Sequence, residues 1–127
     1  MIVVDSDVLI AALERGDRPA QARVEAGLRE GEIATTAINA FELWTGARSA
    51  RQLETLGTLL AAIAILPVDA EAAEIAAAAR RRLEQEGRGI GTADYLIAGV
   101  CLSRGLALLT RNRGHFQRVP GLVVESV

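Results

Sequence analysis

The sequence contains no lysine, one cysteine, one histidine and few aromatic residues. The single Cys101 excludes an internal disulfide, and with the single His115 it is too little for a zinc site built from cysteine and histidine ligands. Any metal bound by this chain should therefore be held by oxygen. All 14 basic residues are arginine and the net charge is −2, which argues against a protein that coats nucleic acid through a broad basic field.

Long apolar runs are also missing. No run reaches the ~18–20 residues that a membrane-spanning helix needs, and the first residues lack the basic segment of a signal peptide. We therefore expect a cytoplasmic protein that does not act at a membrane. The hydrophobic share of 50% over 127 residues is enough for an aliphatic core, and this length is typical of one domain. Residues 1–127 are expected to form a single domain.

Short aliphatic runs alternate with helix-like segments along the chain. Strands are predicted at 2–4, 32–35, 64–68, 106–109 and 122–124, and helices near 8–13, 20–29, 37–46, 53–62, after Asp69 and at 93–103, the last capped by Thr92. Strands separated by helices form right-handed βαβ units, and apolar strands indicate a sheet covered on both faces. The pattern predicts a three-layer α/β/α domain with a central parallel sheet of four to five strands flanked by helices.

Three carboxylates interrupt segments that otherwise indicate a core. Asp5 ends the first strand, Glu42 lies in an apolar helix, and Asp94 is the only charged residue from 92 to 103. Burying an unpaired carboxylate is costly. Because a helix that follows a parallel strand begins at the carboxyl end of that strand, all three are expected at one edge of the sheet, together with Asn112 beyond the fourth strand.

Each acid alone also has a purely structural explanation. Asp5, with Ser6 and Asp7 after it, is suited to cap a helix; Asp94 suits the positive end of a helix dipole; Glu42 is ordinary if its helix face is exposed. The combination of three acids and an amide from separate segments favours a site. Such oxygens select a hard cation, Mg²⁺ or Mn²⁺, which also removes the repulsion between the carboxylates.

With these residues the chain resembles the PIN-domain ribonucleases of the VapC toxin type. The resemblance covers the whole chain and is carried in order by residues 2–9 around Asp5, 36–46 around Glu42, 91–98 around Asp94, and 108–122 around Asn112. It implies that Asp5, Glu42 and Asp94 are the catalytic, metal-binding acids and that Asn112 assists them. Ser6 and Thr110 are implied as hydroxyl residues of the same site.

The resemblance further implies a Mg²⁺-dependent endoribonuclease, with Mn²⁺ as a substitute, in which metal-activated water hydrolyses RNA phosphodiester bonds. Arg111 and Arg113 flank Asn112 and are candidates to grip phosphates, although surface arginines are more often merely solvated. The implied partners are RNA, a VapB-like antitoxin whose tail lies along the toxin, and a second copy of the chain in a homodimer.

Some positions depart from the family pattern. Asn112 stands where many relatives carry a fourth acid, and His115 where an acid is frequent; a neutral amide holds a second cation less firmly, so either one or two ions act. Asp7 replaces a small polar residue. It either compensates in part for the missing acid or, as we expect instead, caps the first helix.

Two other functions compete with the nuclease. Asp5-Ser6-Asp7 after an apolar strand also resembles the Asp-x-Asp motif of haloacid-dehalogenase phosphatases, with Asp5 as nucleophile and Thr110 as phosphate ligand. That chemistry uses a lysine, which this chain lacks. The neutral Asn112 also makes a degenerate nuclease fold conceivable, one that binds a partner without catalysis.

Overall fold

The computed structural model describes residues 1–127 and contains five strands among seven helices. The strands are β1 (Ile2–Val4), β2 (Ile33–Thr36), β3 (Ala64–Leu66), β4 (Ala107–Leu109) and β5 (Val124–Glu125). The helices are α1 (Ser6–Leu13), α2 (Arg18–Glu30), α3 (Ala37–Gly46), α4 (Ala50–Ala61), α5 (Ala70–Gln85), α6 (Thr92–Arg104) and α7 (Arg113–Phe116). No helix combines the length and the apolar composition needed to cross a membrane.

The strands form one parallel sheet in the order β3-β2-β1-β4-β5, which confirms the predicted sheet. The first strand is central: Ile2 lies opposite Ile33 of β2 on one side and Ala107 of β4 on the other. Chain order therefore reverses around β1, and open α/β sheets bind ligands at the carboxyl ends of strands at such a switch point.

Helices cover both faces of the sheet, as predicted. Alternate side chains of β1 enter two separate cores, because successive residues of a strand point to opposite faces. Ile2 and Val4 join a cluster of 14 buried residues on the side of α1, α2 and α4, whereas Val3 joins a cluster of 11 on the side of α5 and α6. The result is the three-layer α/β/α arrangement.

Helices α5 and α6 pack closely against each other at Gly99. A Cβ atom built on Gly99 would lie 2.4 Å from the carbonyl oxygen of Ala72 and 2.9 Å from Cβ of Ala76. The predicted burial of α6 is confirmed, since Tyr95 and the run from Ile97 to Cys101 are buried. This packing holds α6, and with it Asp94, firmly against the domain.

Several element boundaries differ from the prediction. Helix α4 begins at Ala50 because Ser49 and Gln52 form a capping box. Gly91, not Thr92, is the N-cap of α6, without a side-chain cap. The last strand begins at Val124, where it pairs with β4, and the short α7 after Asn112 was not predicted. These boundaries depend on pairing and on single hydrogen bonds, which apolar periodicity does not report.

Candidate active site

Asp5 lies where β1 ends and α1 begins. Its Oδ1 accepts hydrogen bonds from the backbone N–H of Ser6 at 2.8 Å and from Nδ2 of Asn39 at 2.9 Å, and its Oδ2 accepts one from the hydroxyl of Thr110 at 2.6 Å. The residue is 7% exposed. Asp5 is thus both the N-cap of α1 and a carboxylate directed to the carboxyl edge of the sheet.

The electrostatic surroundings of Asp5 disfavour its ionised form. Burial, the largest effect, raises its pKa to about 6; the bond from Thr110 lowers it, and the negative charges of Asp7 and Asp94 raise it further. Asp7 belongs to the same segment as Asp5 and Asp94 to helix α6, so acids from two distant segments act on one another at this edge. A bound cation reverses this repulsion.

Glu42 is joined to Asp5 through the neighbouring serine. The hydroxyl of Ser6 donates to Oε1 of Glu42 at 2.9 Å. The interpretation of the surrounding helix as core was wrong, because Glu42 is exposed, Phe41 is 68% exposed and Trp44 is 42% exposed. Helix α3 buries only the face that carries Asn39, Ala40 and Leu43, and apolar composition alone does not tell which face of a helix has a covering partner.

Asn39, which the sequence analysis did not single out, organises this side of the site. It is completely buried. Its Nδ2 donates to Asp5 and also to Oγ of Ser6 at 2.9 Å, while its Oδ1 accepts from the backbone N–H and the hydroxyl of Thr36 at 3.3 and 2.7 Å. The sequence signal was available: Asn39 stands three residues after the capping Thr36, the spacing of a capping box.

Asp94 lies in the first turn of α6, with its side chain 21% exposed. Nδ1 of His115 lies 2.8 Å from Oδ2 of Asp94, and Nδ2 of Asn112 lies 3.1 Å from the same ring nitrogen. No role in the site was predicted for His115 from the sequence. Its contact with Asp94 joins two segments that the sequence separates by 21 residues.

Thr110 and Asn112 connect the two sides of the site. The hydroxyl of Thr110, which donates to Asp5, also accepts a hydrogen bond from the backbone N–H of Asn112 at 3.0 Å. A continuous series of polar contacts therefore crosses the carboxyl edge of the sheet. In order, it runs through Glu42, Ser6, Asp5, Thr110, Asn112, His115 and Asp94.

Asp7 does not cap the first helix, contrary to expectation, because Asp5 occupies the N-cap position. Oδ2 of Asp7 instead accepts a hydrogen bond from the backbone N–H of Arg111 at 3.1 Å and lies 3.5 Å from the hydroxyl of Thr110. Its Oδ1 is buried without a hydrogen-bond partner. The side chain thus belongs to the site and has one oxygen that no protein group satisfies.

The two flanking arginines already have protein partners. Nη1 and Nη2 of Arg111 bind the carboxylate of Asp17 at 2.6 and 2.8 Å, and this pairing raises the pKa of Arg111 and lowers that of Asp17. Nη1 of Arg113 donates to the hydroxyl of Ser126 at 3.3 Å.

The donor set fits a hard divalent cation held partly through water. No three side chains of the histidine, cysteine, aspartate and glutamate types converge closely enough to hold an ion by themselves. Mg²⁺ commonly keeps several waters and takes few protein carboxylates, so carboxylates spaced by hydroxyl and amide groups suit it. A cation at this edge of the sheet would interact favourably with Oδ1 of Asp7, which has no hydrogen-bond partner. It would also offset the repulsion that other carboxylates exert on Asp5.

A groove of about 530 Å³ begins beside Glu42 and runs between α1, α3 and α4. Its apolar lining includes Ile10, Leu13, Leu43 and Leu56. Ile10 and Leu13 are 45% and 43% exposed. The groove therefore presents apolar surface next to one of the predicted site acids.

Residues 2–122 match the PIN domain model. The tRNA(fMet)-specific endonuclease VapC of Shigella flexneri is 32% identical over 98% of this chain and 96% of its own length. Ribonuclease VapC10 of Mycobacterium tuberculosis is 37% identical over 91% of this chain and 86% of its own length. A DNA-bound VapBC structure from Salmonella typhimurium superposes with a TM-score of 0.88 and 26% identity, over 99% of this chain and 98% of that one.

The family model thus spans nearly the whole chain, including all the segments that meet at the carboxyl edge of the sheet. The relatives align over most of their own length, and the superposed structure has the same overall fold. The chain belongs to the PIN domain family.

Proposed function

We propose that this chain is a VapC-type toxin, a metal-dependent endoribonuclease formed by a single PIN domain over residues 1–127. The observation that carries the proposal is the polar network around Asp5, which joins Glu42 and Asp94 at the carboxyl edge of the central strand. The names of the ribonuclease relatives support the same activity. We further propose that the protein works in the cytoplasm.

Asp5, Glu42 and Asp94 are the proposed metal-binding acids, and Asn112 is an auxiliary ligand. When bound, Mg²⁺, or Mn²⁺ in its place, supplies an activated water and stabilises the charge that develops on the leaving oxygen. Thr110 and Asn39 hold the Asp5 carboxylate in one orientation. Fixed ligands matter because a positioned site avoids reorganisation during the reaction.

The substrate is RNA, gripped through its phosphates. Arg113 is the better placed of the two arginines for this role, since it forms no salt bridge with an acid and contacts the exposed hydroxyl of Ser126, whereas Arg111 forms a bidentate pair with Asp17. Aromatic residues make up 3% of the chain. Base stacking is therefore a minor source of affinity, and selection of the cleavage site relies on shape and polar contacts.

The central experiment compares RNA cleavage by purified wild type, Asp5→Asn and Asp94→Ala with Mg²⁺, and measures Mg²⁺ and Mn²⁺ binding by calorimetry. We expect each variant to lose at least 100-fold in cleavage, because each removes a charged ligand. Glu71→Gln is the matched control, since Glu71 is an exposed first-turn acid of α5. Full activity of Asp5→Asn would refute the mechanism.

The same measurements test the non-catalytic alternative, which the neutral Asn112 favours. If the chain only binds a partner, the wild-type protein should not cleave RNA and does not have to bind Mg²⁺ or Mn²⁺ in the calorimeter. The phosphatase alternative is disfavoured by membership of the PIN domain family and by the absence of lysine. Turnover of a chromogenic phosphomonoester would revive it.

The proposed partner is a VapB-like antitoxin, in keeping with the VapBC complex that superposes on this chain. The groove beside Glu42 suits the apolar face of an amphipathic tail, because Ile10 and Leu13 are exposed along it and Phe41 and Trp44 are exposed on the adjoining α3. An arginine on such a tail would reach the acids from this side and relieve the same repulsion that a cation relieves.

The test of this partner measures the binding of a candidate VapB-like antitoxin to variants of the groove. Leu13→Glu, placed in the groove, should weaken its binding at least tenfold, whereas Val123→Glu, an exposed apolar residue outside the groove, should leave binding within twofold of wild type. Equal affinities of the Leu13→Glu and Val123→Glu variants for the antitoxin would refute the groove as its binding site. A homodimer is also proposed, and light scattering after size-exclusion chromatography should give twice the chain mass.

A further inference from the structure

The carboxylate of Asp7 has an unusual balance of contacts. Oδ2 accepts from the backbone N–H of Arg111, whereas Oδ1 is buried and has no partner. No basic side chain forms a salt bridge with Asp7; the guanidinium of Arg111 is near enough to be affected by the charge of Asp7 but binds Asp17. A buried ionised oxygen without a donor is costly. The backbone bond therefore accounts for one oxygen of Asp7, and the other still needs a positively charged or hydrogen-bonding group.

Asp7 also lies close to Asp5, the central acid of the site. The two carboxylates lie two residues apart in the chain and contact the same hydroxyl group. The hydroxyl of Thr110 lies between the two acids, 2.6 Å from Oδ2 of Asp5 and 3.5 Å from Oδ2 of Asp7. The carboxylates of Asp5 and Asp7 therefore lie on either side of the same hydroxyl group, and a cation bound beside it is attracted by both.

Asn112 meets the same hydroxyl from the other side. Its backbone N–H donates to Oγ1 of Thr110 at 3.0 Å, and its neutral amide adds no charge to the site. We propose that Asp7 is a member of the cation site and that its carboxylate supplies the negative charge that Asn112 does not. This inference rests on the proposed metal site. It restores a fourth carboxylate beside Asp5, Glu42 and Asp94.

The variant Asp7→Asn separates this role from a purely structural one. The amide oxygen of asparagine can still accept the hydrogen bond from the backbone N–H of Arg111, so this contact is kept while the negative charge is lost. We expect Mn²⁺ affinity, measured by calorimetry, to fall at least tenfold. We also expect the melting temperature in EDTA to rise or stay constant, because the repulsion with Asp5 disappears, and the stabilisation by Mn²⁺ to shrink.

A merely structural Asp7 gives the opposite pattern: Mn²⁺ affinity within twofold of wild type and a lower melting temperature in EDTA. Either result overturns the proposal. Glu71→Gln controls for the loss of a first-turn acid that lies outside the network. Asp7→Ser serves as a second variant of smaller volume if Asp7→Asn folds poorly by circular dichroism, with the same expected loss of affinity.

A reciprocal change tests the compensation itself. Asn112→Asp in the Asp7→Asn background should restore Mn²⁺ affinity to within about threefold of wild type, since it returns one carboxylate to the site. A double variant that binds no better than Asp7→Asn contradicts the proposal. Wild type that binds no Mn²⁺ refutes the proposed metal site instead, so the two failures are distinguishable.

Discussion

Replacing Asn39 by aspartate removes the two hydrogen bonds that its Nδ2 donates in the candidate active site and keeps its contact with Thr36. Oδ1 of Asn39 accepts from Thr36, and an aspartate oxygen can do the same. Nδ2, which donates to Asp5 and Ser6, becomes an oxygen that cannot donate. The variant therefore keeps the helix cap and sets a second carboxylate against Oδ1 of Asp5, where the present separation is 2.9 Å.

The expected loss of stability is set mainly by the hydrogen bond to the Asp5 carboxylate, the stronger of the two that are lost. A hydrogen bond to a charged group contributes ~1.5–3 kcal/mol, and Asn39 is completely buried, so water does not replace it. We expect Asn39→Asp to lower the free energy of unfolding by about 2–3 kcal/mol at pH 7.5. Because two adjacent carboxylates can share one proton, the loss should be smaller at pH 5.

Urea denaturation at the two pH values, in EDTA, measures this effect. Gln52→Glu is the matched control, because Gln52 is also the third residue of a capping box but is exposed. Surface substitutions of this kind change stability by about 0.5 kcal/mol or less. If Asn39→Asp unfolds like wild type at pH 7.5, or loses the same free energy at both pH values, the role assigned to Asn39 is wrong.

Other predictions concern the ionisation of Asp5 and the helix packing at Gly99 and Gly57. The pKa of Asp5 is about 6 in the folded chain and 3.8 when unfolded, so its ionisation destabilises the fold as pH rises from 4 to 6 and the full cost persists above pH 6. Relative to Asp5→Asn in EDTA, wild type should lose about 2.5 kcal/mol between pH 4 and 7.5; a constant difference would contradict this. Gly99→Ala should lower the free energy of unfolding by ~1–3 kcal/mol, since the new Cβ would collide with the carbonyl oxygen of Ala72. Gly57→Ala in α4, whose Cβ would meet only Trp44 at 3.5 Å, should stabilise it by ~0.5–1 kcal/mol. Equal melting temperatures for these two variants would refute the packing argument.

The alternation of strands and helices was readable from the sequence because hydrophobic periodicity is a local property. It located β1, β2 and the buried α6, and from them the edge at which Asp5 and Asp94 lie. The rule that parallel strands end at one edge needed no knowledge of strand order. For the same reason the three-layer fold and the shared edge of the candidate site residues could be predicted.

The partners of the site residues were decided by the tertiary structure alone. The bond between Thr110 and Asp5 joins residues 105 apart, and the bond between Asn39 and Asp5 joins residues 34 apart. Both exist because β2 and β4 flank β1, an order that local patterns do not contain. The exposure of Phe41 depends likewise on which face of α3 other elements cover. Contacts of this kind arise from packing between distant segments, whereas a periodic pattern describes only its own segment.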